Sequence, residues 1–270
     1  MDLHSSRDCP ICGRDNHSHS VLSESQPPWE LKRCAKCGLV YLENPPAYES
    51  LEQEFAWERT WAEEDTRRRR RDPVTYHASR ALLAIPKKVF KRDKLMTWVR
   101  RYVRPGPVLD IGCSGGHTLE RLPPDYTPFG IEVSKELAAV ADSRFALRGG
   151  HVVQGTATAS LPRFQDEFFT GVIMTSYLEH EVNPRAVLEA ARRTMRSGAR
   201  LVVKVPNYAS LNRSVRGARW CGFRFPDHVN YFTPVLLRRL LCDSGFRVIR
   251  FGFFDRMPTS DNMWLLAEKS

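Results

Sequence analysis

The stretch Val108-Leu109-Asp110-Ile111-Gly112-Cys113-Ser114-Gly115-Gly116 constrains the fold of this chain more than any other. It reads as a buried strand that meets an acid and a glycine turn, and His117–Leu122 read as the helix that follows. Glycines belong where the backbone turns sharply and a ligand comes close to it. The spacing is Gly-x-x-Gly-Gly, not Gly-x-Gly-x-x-Gly, so the surroundings carry most of the argument. Pro128–Val133 reads as a second strand with an acid, Glu132, 22 residues after Asp110. An acid there can accept both hydroxyls of a ribose. Ser134 caps a helix that carries Leu137, Ala138 and Ala141. Strands at Phe168–Met174 and Leu201–Val205 follow, then a helix over 234–243, then late strands Arg247–Phe254 and Asn262–Glu268. Such alternation predicts an α/β domain over 105–270, a parallel sheet with helices on its faces.

A second constraint lies near the N-terminus. Of seven cysteines, four fall in the first 37 residues, as Cys9-x-x-Cys12 and Cys34-x-x-Cys37, each pair followed by a glycine. The 21 residues between Cys12 and Cys34 suffice for a hairpin that returns one pair to the other. Four thiolates close a tetrahedral shell, the pattern of structural zinc. His17 and His19 lie in the loop, but the cysteines already fill that shell. A module this small, residues 1–46, buries little core, so the metal is expected to supply its folding energy. Leu39–Leu42 reads as a strand leaving it, stopped by Asn44-Pro45-Pro46. Residues 47–104 read as a helical linker or lid. In it, Tyr48–Asp65 carries Leu51, Phe55 and Ala56 along one face, and Lys94–Tyr102 carries Leu95, Trp98, Val99 and Tyr102.

Taken together, these motifs resemble the class I S-adenosylmethionine-dependent methyltransferases. Val108–Gly116 resembles their first motif, and Glu132 the acid that ends their second strand. Phe168–Met174 followed by Tyr177-Leu178-Glu179-His180 resembles their fourth strand, and Ser197–Asn207 the turn and strand after it. Trp220, Pro226-Asp227-His228, Tyr231–Pro234 and Ser244-Gly245-Phe246 resemble a pattern of one subgroup. Many of its members carry a zinc knuckle ending in Cys-Gly-Leu-Val-Tyr, as Cys37–Tyr41 does here. The resemblance implies a Rossmann-like, seven-stranded sheet whose last strand is antiparallel. It implies S-adenosylmethionine at the carboxyl ends of the first, second and fourth strands, near Asp110, Gly112, Cys113, Ser114, Gly115, Glu132, Val133, Thr156, Thr175 and Tyr177. Two acids of the family pattern are replaced. Thr170-Gly171 stands in the fourth strand, and Gly155-Thr156-Ala157 beside the expected adenine, where a hydroxyl or amide can take over.

Methyl transfer from a sulfonium is an in-line displacement, and the protein mainly aligns the reactants. An oxygen acceptor must also lose a proton, which calls for a base, by default a histidine. His117 reads as a helix-start residue beside the turn. His228 is the first candidate base and His180 the second. The insert 207–233, rich in aromatics such as Tyr208, Trp220, Phe223, Phe225 and Tyr231, is expected to close over the acceptor. Cys113 carries no sign of activation.

The leading expectation is O-methylation of a small-molecule or sugar acceptor in natural-product or polysaccharide biosynthesis. One alternative is a ribosomal-RNA methyltransferase with a zinc module; another is a non-catalytic cofactor-binding protein. The net charge of +10 bears on the RNA reading, but the excess is local. Residues 66–105 hold 14 lysines and arginines against two acids, and residues 43–65 hold eight acids against one arginine. An acidic segment followed by a basic one suggests two elements that meet each other or line one site, with plain solvated helices as the other reading. No apolar run reaches the roughly 18 residues of a membrane span, and Met1–Ser6 lacks a secretory pattern, so a soluble cytoplasmic protein is expected.

Overall fold

The computed structural model describes residues 6–46 and 93–270, together with Thr66. The expected helix over 48–65, the Arg67–Arg71 run and most of the acidic and basic segments lie outside the described residues.

In chain order the elements are β1 (Leu31–Arg33), β2 (Val40–Leu42), α1 (Lys94–Tyr102), β3 (Gly106–Ile111), β4 (Tyr126–Glu132), α2 (Lys135–Ala146), β5 (Val152–Gln154), α3 (Ala157–Ser160) and β6 (Phe169–Thr175). Then come α4 (Pro184–Thr194), β7 (Met195–Pro206), α5 (Leu211–Arg216), β8 (Asn230–Tyr231), α6 (Pro234–Asp243), β9 (Phe246–Arg250) and β10 (Asn262–Lys269). Seven strands form the main sheet in the order β5-β4-β3-β6-β7-β10-β9. The pairs from β5 to β7 are parallel, and β10 runs antiparallel to both neighbours. The expected antiparallel last strand is therefore present.

The sheet is buried on both faces because its strands are apolar at both parities. Leu109, Ile111, Val172 and Met174 join one core, while Val108 and Ile173 join a second core with Leu95, Trp98 and Val99 of α1. Strands covered on both sides are expected to read as near-continuous apolar runs. Gly171 explains one departure from the family pattern. A Cβ there would stand 2.6 Å from Val103 Cγ1, so the residue is kept bare where the chain leaving α1 crosses the sheet. The sheet order reverses between β3 and β6, which opens a crevice at their carboxyl ends.

Three local expectations need correction. His117–Leu122 does not form an α-helix: a 3-10 turn, Leu119–Arg121, takes its place. Gly115-Gly116 before it and Pro123-Pro124 after it leave too few residues to nucleate a longer helix. The late strand ends at Arg250, because Asp255 Oδ2 accepts the Gly252 N–H at 3.0 Å and folds the chain into a turn. The third correction concerns the aromatic insert. Tyr208, Trp220, Phe223 and Tyr231 pack with Leu31, Val40 and Leu42 into a separate core. Their side chains face the N-terminal hairpin, because large apolar rings gain most by burial there.

That hairpin is completed by the rest of the chain. β1 pairs with β2, and β2 pairs with β8, Val40 opposite Tyr231. Arg7 ties the two parts together. Its guanidinium donates to the carbonyls of Leu42 at 2.9 Å, Val182 at 2.6 Å and Val229 at 2.7 Å, and to Asn230 Oδ1 at 3.1 Å. Arg7→Ala is expected to cost about 1.5–3 kcal/mol, the worth of hydrogen bonds to a charged group. Thermal unfolding checks this, and an unchanged midpoint would remove Arg7 as the anchor.

Candidate functional site

A cavity of about 500 Å3 opens at the reversal point of the sheet order. Three strand ends supply its walls. β3 runs into the glycine turn and contributes Asp110, Gly112, Cys113 and Ser114. Gly112 has φ +76°, and a Cβ there would meet the Tyr177 ring at 3.0 Å, so this turn needs glycine on both counts. β4 ends in Glu132 and Val133, and β6 leads into Thr175, Ser176 and Tyr177. All of these but Ser176, eight in number, are among the ten residues expected beside a cofactor. Gly115 and Thr156 are not among its lining residues. Thr156 caps α3, its Oγ1 accepting from the Ala159 N–H at 3.2 Å, and the neighbouring Gly155 stands in the wall instead.

Two acids face each other across the turn. Glu132 accepts the Ser114 N–H on Oε2 at 2.8 Å and the Ser134 N–H on Oε1 at 3.0 Å. These bonds clamp the carboxylate at the strand end, in the wall of the cavity. Asp110 is buried at 2% exposure, and its Oδ1 has no hydrogen-bond partner among the described residues. Burial, reinforced by the Glu132 charge, holds its carboxyl well above the usual range. A buried polar atom left unsatisfied in a cavity wall calls for a polar ligand. The paired glycine turn and acid therefore fit the nucleoside end of S-adenosylmethionine. Burial also pushes the Cys113 thiol up, in keeping with an unreactive sulfur.

The opposite wall carries His180, Glu181, Lys204 and Asp227. His180 Nδ1 donates to the Asp227 carbonyl at 2.9 Å, which leaves Nε2 as the acceptor nitrogen. Burial, with the charge of Arg224, pushes the His180 pKa down to about 4, so the ring is neutral at neutral pH. His228 is not among the cavity's lining residues. It is buried behind His180, ring centroids 4.7 Å apart and nearly perpendicular, with Nδ1 donating to the Gly222 carbonyl at 2.8 Å. His117 points outward and contacts Arg144.

Four lining residues, Thr118, Ser176, Glu181 and Lys204, escaped the sequence reading. Lys204 places Nζ 3.3 Å from Ser176 Oγ, and Glu181 accepts from the Tyr177 hydroxyl at 2.5 Å. A lone lysine inside the apolar run Leu201–Val205, and a second acid right after Glu179-His180, were the available signals.

The four N-terminal cysteines come together. Cys9 and Cys37 Sγ stand 3.5 Å apart, Cys12 and Cys34 Sγ 3.4 Å, and all four lie within 4.8 Å of one another. Tetrahedral zinc at about 2.3 Å from each sulfur needs separations of about 3.8 Å, so the cluster fits such an ion. Among the described residues no helix is long and apolar enough to cross a membrane.

The profile of a methyltransferase-domain family matches residues 80–250, more than half of the chain. Among curated proteins, an uncharacterised protein of Methanocaldococcus jannaschii is 24% identical over 152 residues, 56% of this chain and 70% of its own length. An uncharacterised protein of Mycobacterium tuberculosis is 30% identical over 149 residues, 53% of this chain, and the match spans only 47% of that relative. Two solved structures share the fold. One, from Thermotoga maritima, is described as an S-adenosylmethionine-dependent methyltransferase and possible histamine N-methyltransferase. It has a TM-score of 0.50 and 21% identity, covering 65% of this chain and 87% of that one. The other, from Listeria monocytogenes, is a provisional S-adenosylmethionine-dependent methyltransferase. It has a TM-score of 0.52 and 12% identity, covering 65% of this chain and 99% of that one. The family profile and the strand order that encloses the cavity agree, and the chain belongs to the class I S-adenosylmethionine-dependent methyltransferases.

Proposed function

We propose that the chain methylates a hydroxyl of a small molecule or sugar, with zinc on Cys9, Cys12, Cys34 and Cys37 as a structural ion. The observation that carries this reading is that Glu132 and His180 open onto one cavity of about 500 Å3. That size falls in the range of roughly 300–1,000 Å3 typical of small-ligand sites. Glu132 would hold the ribose hydroxyls, and the Gly112–Ser114 turn would lie along the cofactor. Thr175 and Tyr177 would flank the methyl group, and Gly155, not Thr156, would meet the adenine edge. S-adenosylmethionine, when bound, supplies an electrophilic methyl group on a good leaving group. His180 Nε2 would take the acceptor's proton, since His180 faces the cavity and His228 lies behind it. Lys204 and Asp227 would orient the acceptor's polar groups.

Glu132→Gln keeps the size of the side chain and removes its charge. It is expected to weaken S-adenosylmethionine binding by about 1.5–3 kcal/mol. Calorimetry reads this directly, and an unchanged dissociation constant would refute the ribose placement. The acceptor class is tested with S-adenosylmethionine labelled on its methyl group. Label should pass to members of a panel of hydroxylated small molecules and sugars. Label entering ribosomal RNA alone, with a specific nanomolar RNA complex at physiological salt, would overturn the small-molecule reading.

A further inference from the structure

At the cavity wall lies a largely buried group of side chains of the kinds that hold metals, apart from the four cysteines and from the exposed Asp8, Asp15 and His17. A carboxylate oxygen of Glu179 and one ring nitrogen each of His180 and His228 lie within 4.8 Å of one another. The two histidines are hydrogen-bonded alike. Nδ1 of His180 donates to the Asp227 carbonyl at 2.9 Å, and Nδ1 of His228 donates to the Gly222 carbonyl at 2.8 Å. A histidine that ligates a metal through one nitrogen usually gives its other N–H to a carbonyl or carboxylate, which fixes ring and tautomer. Here both rings carry that support before any ion is considered.

Glu179 provides an independent observation. The residue is 1% exposed, and its Oε2 has no hydrogen-bond partner among the described residues. A buried carboxyl oxygen without a partner is satisfied by a proton or by a ligand. Lys204 and Arg224 act on the Glu179 carboxyl as nearby charges, and each also has another polar contact, Lys204 with Ser176 Oγ and Arg224 with the Asp227 carboxylate. The backbone holds the carboxylate's own segment in place, since the Glu179 carbonyl accepts the N–H groups of Val229 at 2.7 Å and Asn230 at 3.1 Å. The sequence neighbours of His228 are thereby locked to Glu179.

We infer that Glu179, His180 and His228 form a second metal site, one that takes a d-block divalent cation such as Zn2+ or Co2+. Two imidazoles and one carboxylate suit such ions and not the hard, all-oxygen preference of Mg2+ or Ca2+. Three protein ligands, against four in the cysteine cluster, leave coordination positions open. Of the three, His180 lines the cavity, so an ion held on its ring would adjoin the wall of the acceptor end. A hydroxyl oxygen on the cation would lose its proton more readily. In that state the cation, and not the His180 lone pair, would activate the acceptor. This role rests on the methyltransferase reading; the binding of the cation does not.

The test uses the full chain with its cysteine cluster saturated with zinc, freed of excess metal and titrated with Co2+. One further equivalent is expected, with d–d absorption but without the sulfur-to-metal charge transfer that exchange into the cysteine cluster would show. Glu179→Gln and, separately, His228→Gln should weaken this binding by at least about tenfold, the lower end for disturbing even an outer-shell partner. Thermal unfolding shows that each variant is folded, and two variants guard against one that is not. No further equivalent in the wild type, or equal affinity in folded variants, overturns the site. Calorimetry of S-adenosylmethionine on the wild type separates the failures. If the cofactor binds and Co2+ does not, the cation site alone is wrong. If Co2+ binds and the cofactor does not, the site stands and its assigned role falls.

Discussion

His180→Ala is expected to leave S-adenosylmethionine binding intact and to lower kcat by about 10²–10⁴-fold, the usual worth of a positioned general base. The expectation follows from where the ring stands. His180 lines the cavity with Nδ1 engaged by the Asp227 carbonyl, so Nε2 is the nitrogen able to receive a proton. The cofactor side, built on the Gly112 turn and Glu132, is separate from it. The measurement is single-turnover transfer to whichever panel member accepts label, across a pH series. If imidazole takes the proton directly, the loss shrinks as pH rises and the acceptor ionises unaided. If imidazole acts by holding a cation, the loss instead tracks Co2+ occupancy. His228→Ala is the comparison. It removes a ring that touches His180 edge-on, so a smaller loss is expected, through misplacement of the His180 ring. Near-normal turnover in both variants would mean that alignment of an already nucleophilic acceptor carries the reaction, and the base assignment would fall.

The parts of this site that were legible in the sequence are those set by short-range rules. Residues 94–102 and 234–243 read as helices, and the helices have those bounds, because caps announce them. Asp93 accepts the Met96 N–H at 3.2 Å, and Thr233, with Pro234 after it, accepts the Leu236 N–H at 3.4 Å. The glycine turn and the acid of β4 were legible for the same reason: a turn, a strand and an acid lie close together in the chain. The parts that were not legible depend on contacts across long separations. Nothing local in Asn230–Tyr231 says that it pairs with Val40–Tyr41, some 190 residues away. That pairing turns the large rings of the insert toward the hairpin, while Asp227 of the same insert stays in the cavity wall. It also decides that His180, and not His228, lines the cavity, since both follow plausible pocket-forming segments in the sequence. Lys204 shows a third limit. A single cation in an apolar strand marks either a sheet edge or a ligand wall, and only the strand order places β7 beside β6 at the mouth of the crevice.

The long-range pairing makes the largest stability effect predictable. Chelation of the zinc-loaded protein is expected to unfold more than the residues around the cysteines. The metal's binding energy is folding energy, roughly 10–16 kcal/mol for structural zinc in small modules. Part of it should be felt wherever the hairpin is attached. β2 pairs with β8, and the carbonyls of Leu42 and Val229 share the Arg7 guanidinium. The Val229 and Asn230 N–H groups in turn hold the Glu179 carbonyl, one residue before His180. Hydrogen exchange after chelation should therefore show protection lost together at 31–42 and 228–232, with the opposite sheet edge, β4 and β5, losing it later. Cys12→Ser and Cys34→Ser should behave alike and lower the zinc content from about one equivalent. A metal on the cysteines would also reach the chemistry by this route. Chelated protein should keep much of its S-adenosylmethionine affinity, because the β3 turn and Glu132 lie outside the chain of contacts. Its methyl transfer should fall, because His180 and its Asp227 support lie at the end of it. Metal-free protein with unchanged exchange and an unchanged unfolding midpoint would show that apolar packing alone holds the hairpin, and the zinc assignment would lose its physical basis.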